Sequence, residues 1–475
     1  MKKNYLKLIV CMIASIMCVG FVSCDKDKKE ELTNTETPID PVDPTKGQAM
    51  SPEDQKETLE QIAKEFMSMT PASDFDDIAD LFNYINDYYG DDYDWDEVED
   101  WADDAFEVSR EFIGSSTDTE TYSYGSYIYK YNYINSNYKV LILASNFTGH
   151  FTASNGRWKY SKASDLQFIF KDQQGRQCIL KLETSGSVKK VHLLDDKDWK
   201  DYTWENNGYT YISNEYIDRN QYTIGIPERI VVTLTQGGET VVKTTVTVNL
   251  SGISSEEFNL SKSSLSLSAV IELNNGYKFN LSNVTYSANS KASVSFAMTK
   301  NSATLLSIAA SGDVSNMPSV DFSDIANDDF DDDDFENVKG KNAFAKVDVM
   351  GKLQVQGTLS DVRKYADYLE QADDYDDDEK NFKSYINQAN DLADVSLFYN
   401  GTNVRQATVR LEPFIDEQWG GRTYWEAEPV IYFFDGSSYS SFEAFFNEKD
   451  FRSVIDTFKK LANRYADLVG EDIDW

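Results

Sequence analysis

The feature that most constrains the fold is a long stretch, Arg229 to Gly312, in which apolar and polar residues alternate. Leu265, Leu267 and Ala269, for example, are separated by single serines. Alternation with a period of two is typical of strands that have one apolar and one polar face. The turn sequences Gly237-Gly238 and Asn274-Asn275-Gly276 divide the stretch into hairpins. We therefore predict an antiparallel sheet whose apolar face is covered by helices from the two ends of the chain.

Shorter strands are predicted upstream of this stretch. Residues 122–133 alternate tyrosine with small or polar residues, and they are interpreted as one strand with a bulge at Gly125. The tyrosines suit either a platform that stacks on sugar rings or packing over aliphatic neighbours, and the packing interpretation is favoured. Further strands are predicted at Val140–Ala144, Gly149–Thr152, Arg157–Ser161, Leu166–Lys171 and Gln177–Glu183, with turns at Asn155-Gly156 and Gln174-Gly175.

Helices are predicted on both sides of the β-rich region. Ser51-Pro52 is a strong helix start, because serine caps the first turn and proline suits its first position. Helical spacing of apolar residues continues this helix up to Pro71 and predicts two more. The remaining predictions are helices at Asp74–Tyr89, Asp94–Phe112, Asp361–Gln371 (capped by Ser360), Lys380–Leu392 and Phe451–Leu468, and a strand at Ala343–Leu359.

The fold class predicted from these patterns is α+β, with a large antiparallel sheet flanked by N-terminal and C-terminal amphipathic helices. Residues 165–183 and 394–412 also align without a gap, which leaves duplication and convergence of two hairpins equally open. The predicted organisation is a signal peptide (1–23), a lipidated flexible tether (24–50), a helical segment (51–114), an antiparallel β-rich region (115–320) and an α+β C-terminal region (321–475).

The first residues have the pattern of a secretory signal. Lys2, Lys3 and Lys7 precede an apolar run that ends at Ser23-Cys24. The segment Phe21-Val22-Ser23-Cys24 resembles a bacterial lipobox, and the charged residues that follow resemble the surface-export signal of Bacteroidetes lipoproteins. The resemblance implies lipid attachment at Cys24 and an outer-membrane, cell-surface location, with the membrane as a partner through this anchor. An ordinary cleaved signal peptide is the alternative.

Composition and charge restrict the chemistry. The net charge of −36 disfavours nucleic acid as a partner, because phosphates are repelled. After acylation of Cys24 and removal of the signal, Cys178 is the last cysteine, and its strand pattern predicts a buried thiol. His150 and His192 lack metal-ligand spacing. The acidic runs at residues 328–334 and 373–379 are interpreted as solvated loops. We predict no catalytic residue, no metal site and no cofactor.

The strongest candidate for a binding loop lies near the C-terminus. Trp419, Arg422, Tyr424 and Trp425 surround Gly420-Gly421. Aromatic rings stack on sugars or on partner side chains, and arginine binds carboxylates through two hydrogen bonds. Packing of these aromatic residues on the sheet is the alternative interpretation.

The function predicted first is that of a surface-exposed, non-enzymatic binding or scaffold lipoprotein with a glycan, peptide or outer-membrane partner. A carrier of lipid or another apolar ligand, with a tunnel lined by Leu265, Ile271, Phe279 and Phe296, is the second hypothesis. A glycoside hydrolase that uses two carboxylates is the third.

Overall fold

A computed structural model describes residues 38–45, 47–91, 93–326, 340–419 and 422–436. Strands make up 57% and helices 21%, so the molecule belongs only loosely to the α+β class and is mainly β. The helices are α1 (Pro52–Met69), α2 (Asp76–Tyr84), α3 (Asp96–Val108), α4 (Phe322–Ala326), α5 (Val362–Asp374) and α6 (Glu379–Asn390). The strands are β1 (Arg110–Tyr124), β2 (Tyr127–Leu143), β3 (Gly149–Ser154), β4 (Arg157–Ser161), β5 (Leu166–Lys171), β6 (Gln177–Asn207), β7 (Thr210–Gln236), β8 (Glu239–Ser251), β9 (Ser264–Leu273), β10 (Tyr277–Tyr286), β11 (Lys291–Lys300), β12 (Ala303–Asp313), β13 (Lys341–Val349), β14 (Leu353–Asp361), β15 (Ala393–Tyr399), β16 (Ala407–Trp419) and β17 (Arg422–Phe433).

All of these strands belong to one branched sheet. The hairpin of β6 and β7 is its spine, because residues 178–207 of β6 pair with residues 210–236 of β7. At one end of the spine, β7 pairs with β8, and consecutive antiparallel strands continue from there to β17. At the other end, β7 pairs instead with β2, which pairs with β1. The prediction of a purely antiparallel sheet is wrong at β2–β7 and β3–β5, which are parallel.

The consecutive antiparallel strands β8 to β17 form the long meander. Helix α1 covers part of its apolar face, as the alternation predicts. Phe66 and Met69 of α1 pack against the cluster of Ile271, Tyr277 and Phe279, and Leu59 and Ile62 pack further along against Leu397, Tyr399 and Ile431. The cap predicted for this helix is confirmed, because the Ser51 side chain accepts a hydrogen bond from the Asp54 backbone N–H. The predicted C-terminal helix, Phe451–Leu468, lies outside the described residues.

A second core lies between α2, α3 and the strands β3 to β6. It is largely aromatic, and Phe151, Trp158 and Phe170 form its centre with the buried ring of Tyr89. Cys178 is fully buried in the same cluster, as its strand pattern predicted. The third predicted helix is shorter than expected, because α3 ends at Val108 and Phe112 lies exposed in β1.

Two predicted strands are hairpins. Gly125, with φ of 62°, is in the two-residue turn between β1 and β2 and is not a bulge. Residues 343–359 likewise turn at residues 350–352, where Met350 and Gly351 have positive φ. Periodicity continues through such short turns, which explains both errors. The cap of α5 is also corrected, since Asp361 accepts the hydrogen bond from the Lys364 backbone N–H.

Residues of the acidic run at 373–379 form the end of one helix and the start of the next. Asp374 is the last residue of α5, and the side chain of Asp378 caps α6 by accepting hydrogen bonds from the backbone N–H groups of Lys380 and Asn381. A carboxylate at a helix N-terminus is stabilised by the free N–H groups there. The other acidic run, residues 328–334, lies outside the described residues.

The two similar hairpins are not equivalent in the sheet. Phe168 pairs with Leu180 in the first, whereas Leu397, its counterpart in the gap-free alignment, pairs with Ala407 in the second. The second register is therefore displaced by two residues. The flanking strand β3 is parallel to β5, whereas β14 is antiparallel to β15. This geometry gives a duplication no support.

Candidate aromatic binding face

Beyond the body of the molecule, the sheet continues as a projecting arm. The arm consists of residues 114–135 of β1 and β2 and residues 195–217 of β6 and β7, in the order β1, β2, β7, β6. Most of its side chains are exposed or half-buried on both faces. A sheet with two solvated faces lacks the burial that normally stabilises strands, so its composition calls for an explanation.

One face of the arm is aromatic. Residues that are paired across the strands share a face, so the registers place Tyr122, Tyr129 and Tyr211 in one row and Tyr131 and Trp204 in the next. The opposite face carries mainly Ser, Thr, Asn and Lys together with Ile128, Ile134, Ile212 and Tyr216. We call the following set the aromatic face: Tyr122, Tyr124, Tyr127, Tyr129, Tyr131, Tyr133, Trp199, Tyr202, Trp204, Tyr209 and Tyr211.

The rings of the aromatic face contact one another and remain open to solvent. Tyr129 and Tyr211 stack with centroids 5.3 Å apart and an interplanar angle of 14°. Tyr131 and Trp204 meet edge to face at 6.0 Å. Trp204 is nevertheless 54% exposed. The interpretation that these tyrosines pack over aliphatic neighbours is therefore wrong, because no described element lies over them.

Hydrogen-bonding groups are interspersed with the rings. The Tyr122 hydroxyl donates to the carboxylate of Glu120 over 2.9 Å, and Tyr133 donates to the same group over 3.5 Å. The Glu120 carboxylate raises the pKa of the Tyr122 hydroxyl, which therefore remains a neutral donor. The fully buried Ser213 hydroxyl, in the row of Tyr131 and Trp204, has no hydrogen-bond partner among the described residues.

Polar networks fix the base of the arm on both faces. On the aromatic side, Arg219 Nε donates to Asn135 Oδ1 over 2.7 Å. On the other side, the buried carboxylate of Asp218 lies 2.6 Å from both Arg110 and Lys200. Burial alone would raise the pKa of Asp218, but the hydrogen bonds from Lys200 and Arg110 outweigh it and lower the pKa. The carboxylate thus links β1, β6 and β7 where the arm leaves the body.

The hairpin of β16 and β17 brings three of the four residues of the predicted binding loop to one face, because Trp419 pairs with Arg422 and Tyr424 follows on the same side of β17. Arg422 is 68% exposed at its side chain and forms an ion pair with Asp377 over 2.7 Å. Trp425 is half-buried against the cluster that holds α5 and α6 on the sheet, and the ammonium of Lys383 lies 4.6 Å from its ring centroid. Alternation along β17 places Tyr424 on the face of Arg422 and Trp425 on the other. The side chain of Trp419, and Cys24, lie outside the part of the chain that the structure describes.

Three of the four residues named for an apolar tunnel lie in or beside a packed cluster, and the fourth, Leu265, is half-buried in β9. Ile271 and Phe279 are buried with Phe75 and Leu305, and Phe296 packs against them. Dense packing at this point gives a carrier function no support.

Comparison with protein-family models, curated proteins and solved structures gives no significant match. Among the described helices, none combines the length and the apolar character needed to span a bilayer. Function must therefore be inferred from the geometry of the molecule.

Proposed function

We propose that the protein is a non-enzymatic binding protein and that its aromatic face binds an extended, uncharged glycan. The observation that supports this proposal is the row of solvent-exposed rings along the arm. Soluble proteins rarely expose large apolar patches unless these bind something. Successive rows of a face are separated by two residues, or roughly 7 Å. From the row of Trp199 to the tip the rings therefore extend over roughly 27 Å, which suits a chain-like ligand.

The composition of the face favours a sugar over a lipid surface or an apolar peptide. Its large exposed side chains are tyrosine and tryptophan, which combine a ring face for C–H contacts with a hydrogen-bonding group. Exposed Leu, Met and Phe, which would favour an acyl chain, do not occur among the described side chains of this face. Glu120, Asp118 and Glu215 would repel anionic glycans and anionic lipid headgroups.

The test is binding of neutral and anionic oligosaccharides, on an array and by tryptophan fluorescence titration, to the chain that starts at residue 38. The double variant Trp199→Ala/Trp204→Ala should weaken binding of a neutral oligosaccharide at least tenfold, about 1.4 kcal/mol. The matched control is Tyr216→Ala, which removes an exposed ring of β7 on the opposite face. This control should bind like the wild type.

Two results would contradict the proposal. One is the absence of binding to any neutral oligosaccharide on the array. The other is an equal loss of affinity in the double variant and in Tyr216→Ala, which would show that the two faces are not distinguished.

We further propose that a lipid on Cys24 anchors this module at the outer membrane, with the arm facing outwards from the cell. The support is the basic and apolar leader followed by Ser23-Cys24. Metabolic labelling with a fatty acid should tag the wild type but not Cys24→Ala. Labelling of the variant would refute acylation at this residue.

A further inference from the structure

We infer that the outer edge of β1 is a docking site for an extended segment of a partner protein that carries lysine or arginine at alternate positions. The segment would add to the sheet as a further strand beside β1. This inference does not rest on glycan binding, because it depends on backbone groups of β1 and on the charges of Asp118 and Glu120 beside the rings.

The turn at the end of β1 determines which of its backbone groups are free. Tyr124 and Tyr127 flank a two-residue turn, so they form a hydrogen-bonded pair. Bonding then alternates along the hairpin, and the even-numbered residues from 124 back to 116 face β2. The N–H and C=O groups of the odd-numbered residues, Ser115, Thr117, Thr119, Thr121 and Ser123, point away from β2. The only strand register of β1 among the described residues is that with β2, so no described strand pairs with this side of β1.

The other edges of the sheet are protected in ways that β1 is not. Natural sheets block their edges with short strands, bulges, lysine side chains and proline. The edge strand β4 has five residues, and β17 contains Pro429. The outer edge of β6 carries several lysines and aspartates, and its pairing with β7 is interrupted by register shifts at Ser185/Val188, His192/Leu194 and Trp199/Asp201.

By contrast, β1 is regular from Gly114 to its end. All of these residues pair with β2 without a register shift, and the segment contains no proline and no lysine. Its side chains on the face opposite the rings are Ser115, Thr117, Thr119, Thr121 and Ser123, which suit a strand that pairs on both sides.

The charged side chains of β1 indicate which kind of segment would bind at its edge. Asp118 and Glu120 are adjacent exposed side chains on one face of β1, and neither has a cationic partner among the described residues. Opposite charges across neighbouring strands stabilise pairing, and like charges destabilise it. In any central register of antiparallel pairing between two copies of β1, these carboxylates would lie opposite or diagonal to each other. A second copy of this chain is therefore disfavoured, and a basic strand is favoured.

The test uses a fluorescent peptide of about ten residues that alternates threonine with lysine, with anisotropy measured against the full chain. The key variant is Thr119→Pro, which removes one outward N–H without removing a hydrogen bond to β2. Thr119→Ala is the matched control, because it keeps the N–H. We expect the wild type and Thr119→Ala to bind within twofold of each other, and Thr119→Pro to bind at least tenfold more weakly.

A second measurement keeps the test decisive if Thr119→Pro does not fold. A peptide of the same sequence, methylated on alternate backbone nitrogens, keeps every charge but loses its hydrogen bonds to a neighbouring strand. Loss of binding by this peptide supports the inference. Equal binding of both peptides, absence of binding, or a dimer of the chain that Thr119→Pro dissociates would overturn it.

Discussion

The attachment of α1 to the sheet provides the sharpest test of the packing described above. Tyr277 is 1% exposed, and its hydroxyl lies 2.8 Å from Asp74 Oδ2 and 3.0 Å from the carbonyl oxygen of Met69, the last residue of α1. The ammonium of Lys300 contacts the same two acceptors. Tyr277→Phe removes a donor to a charged group, and such bonds contribute about 1.5–3 kcal/mol.

The expected loss of unfolding free energy in Tyr277→Phe is about 1.5 kcal/mol, the lower end of this range, because Lys300 still satisfies both acceptors. The assay is urea denaturation, in which the midpoint falls with an unchanged m-value. Hydrogen exchange of the α1 amides should accelerate in parallel, since this contact holds the end of the helix. In an Asp74→Asn background the same substitution should lose less stability, with a coupling of about 1 kcal/mol.

The control for this prediction is Tyr399→Phe. The Tyr399 hydroxyl donates to the neutral Gln55 Oε1 over 3.2 Å. Tyr399 is far from Asp74 in the sequence, and no described contact joins the two residues. Its effect on stability should therefore be unchanged by Asp74→Asn. The reasoning is refuted if Tyr277→Phe lowers stability by less than about 0.5 kcal/mol, or if its effect is the same in both backgrounds.

Three further predictions concern buried or paired groups. Burial raises the pKa of the Cys178 thiol to about 11, so a disulfide reagent at pH 8 should leave it unmodified in the folded protein and modify it in urea; rapid native reaction would show that it is accessible. Burial alone would lower the pKa of His192, but Glu257 and Asp195 raise it. Its stabilising contribution is therefore complete below the unfolded value of about 6.5 and is lost as the pH rises through the folded value. The difference in thermal midpoint between wild type and His192→Gln should shrink from pH 6 to pH 8, and a constant difference would contradict this. Burial also lowers the pKa of the Lys346 ammonium, so Lys346→Met should leave the urea midpoint unchanged or raise it. A loss above about 1 kcal/mol would indicate a partner for this charge.

The antiparallel strands and the first helix were predictable because the sequence patterns that define them are local. Alternation defines each strand, and the turn at Gly237-Gly238 has the positive φ values that its sequence indicated. The predicted strands Arg157–Ser161 and Leu166–Lys171 match β4 and β5 at both ends. The start of α1 was equally clear, because the serine cap and the proline act within one turn.

The arm was not predictable for a physical reason. Its central pairing, β2 with β7, is parallel and joins residues far apart in the sequence, so no turn sequence marks it. The predicted strand ended at Glu183 and only a short strand pattern around His192 followed it, whereas β6 continues without a break to Asn207. One signal was present. The residues between the tyrosines at 127–133 are mostly polar, so neither face of this strand had the aliphatic residues of a core.

The continuity of β7 has a mechanical consequence. The same strand runs from Thr210 at the tip of the arm to Gln236 in the body, and it pairs with β6 along its length. A pull at the tip, directed along the strands, is therefore carried into the body by two continuous strands, which the turn at residues 208–209 joins. No loop interrupts this path, so tension reaches the meander without first unfolding a linker.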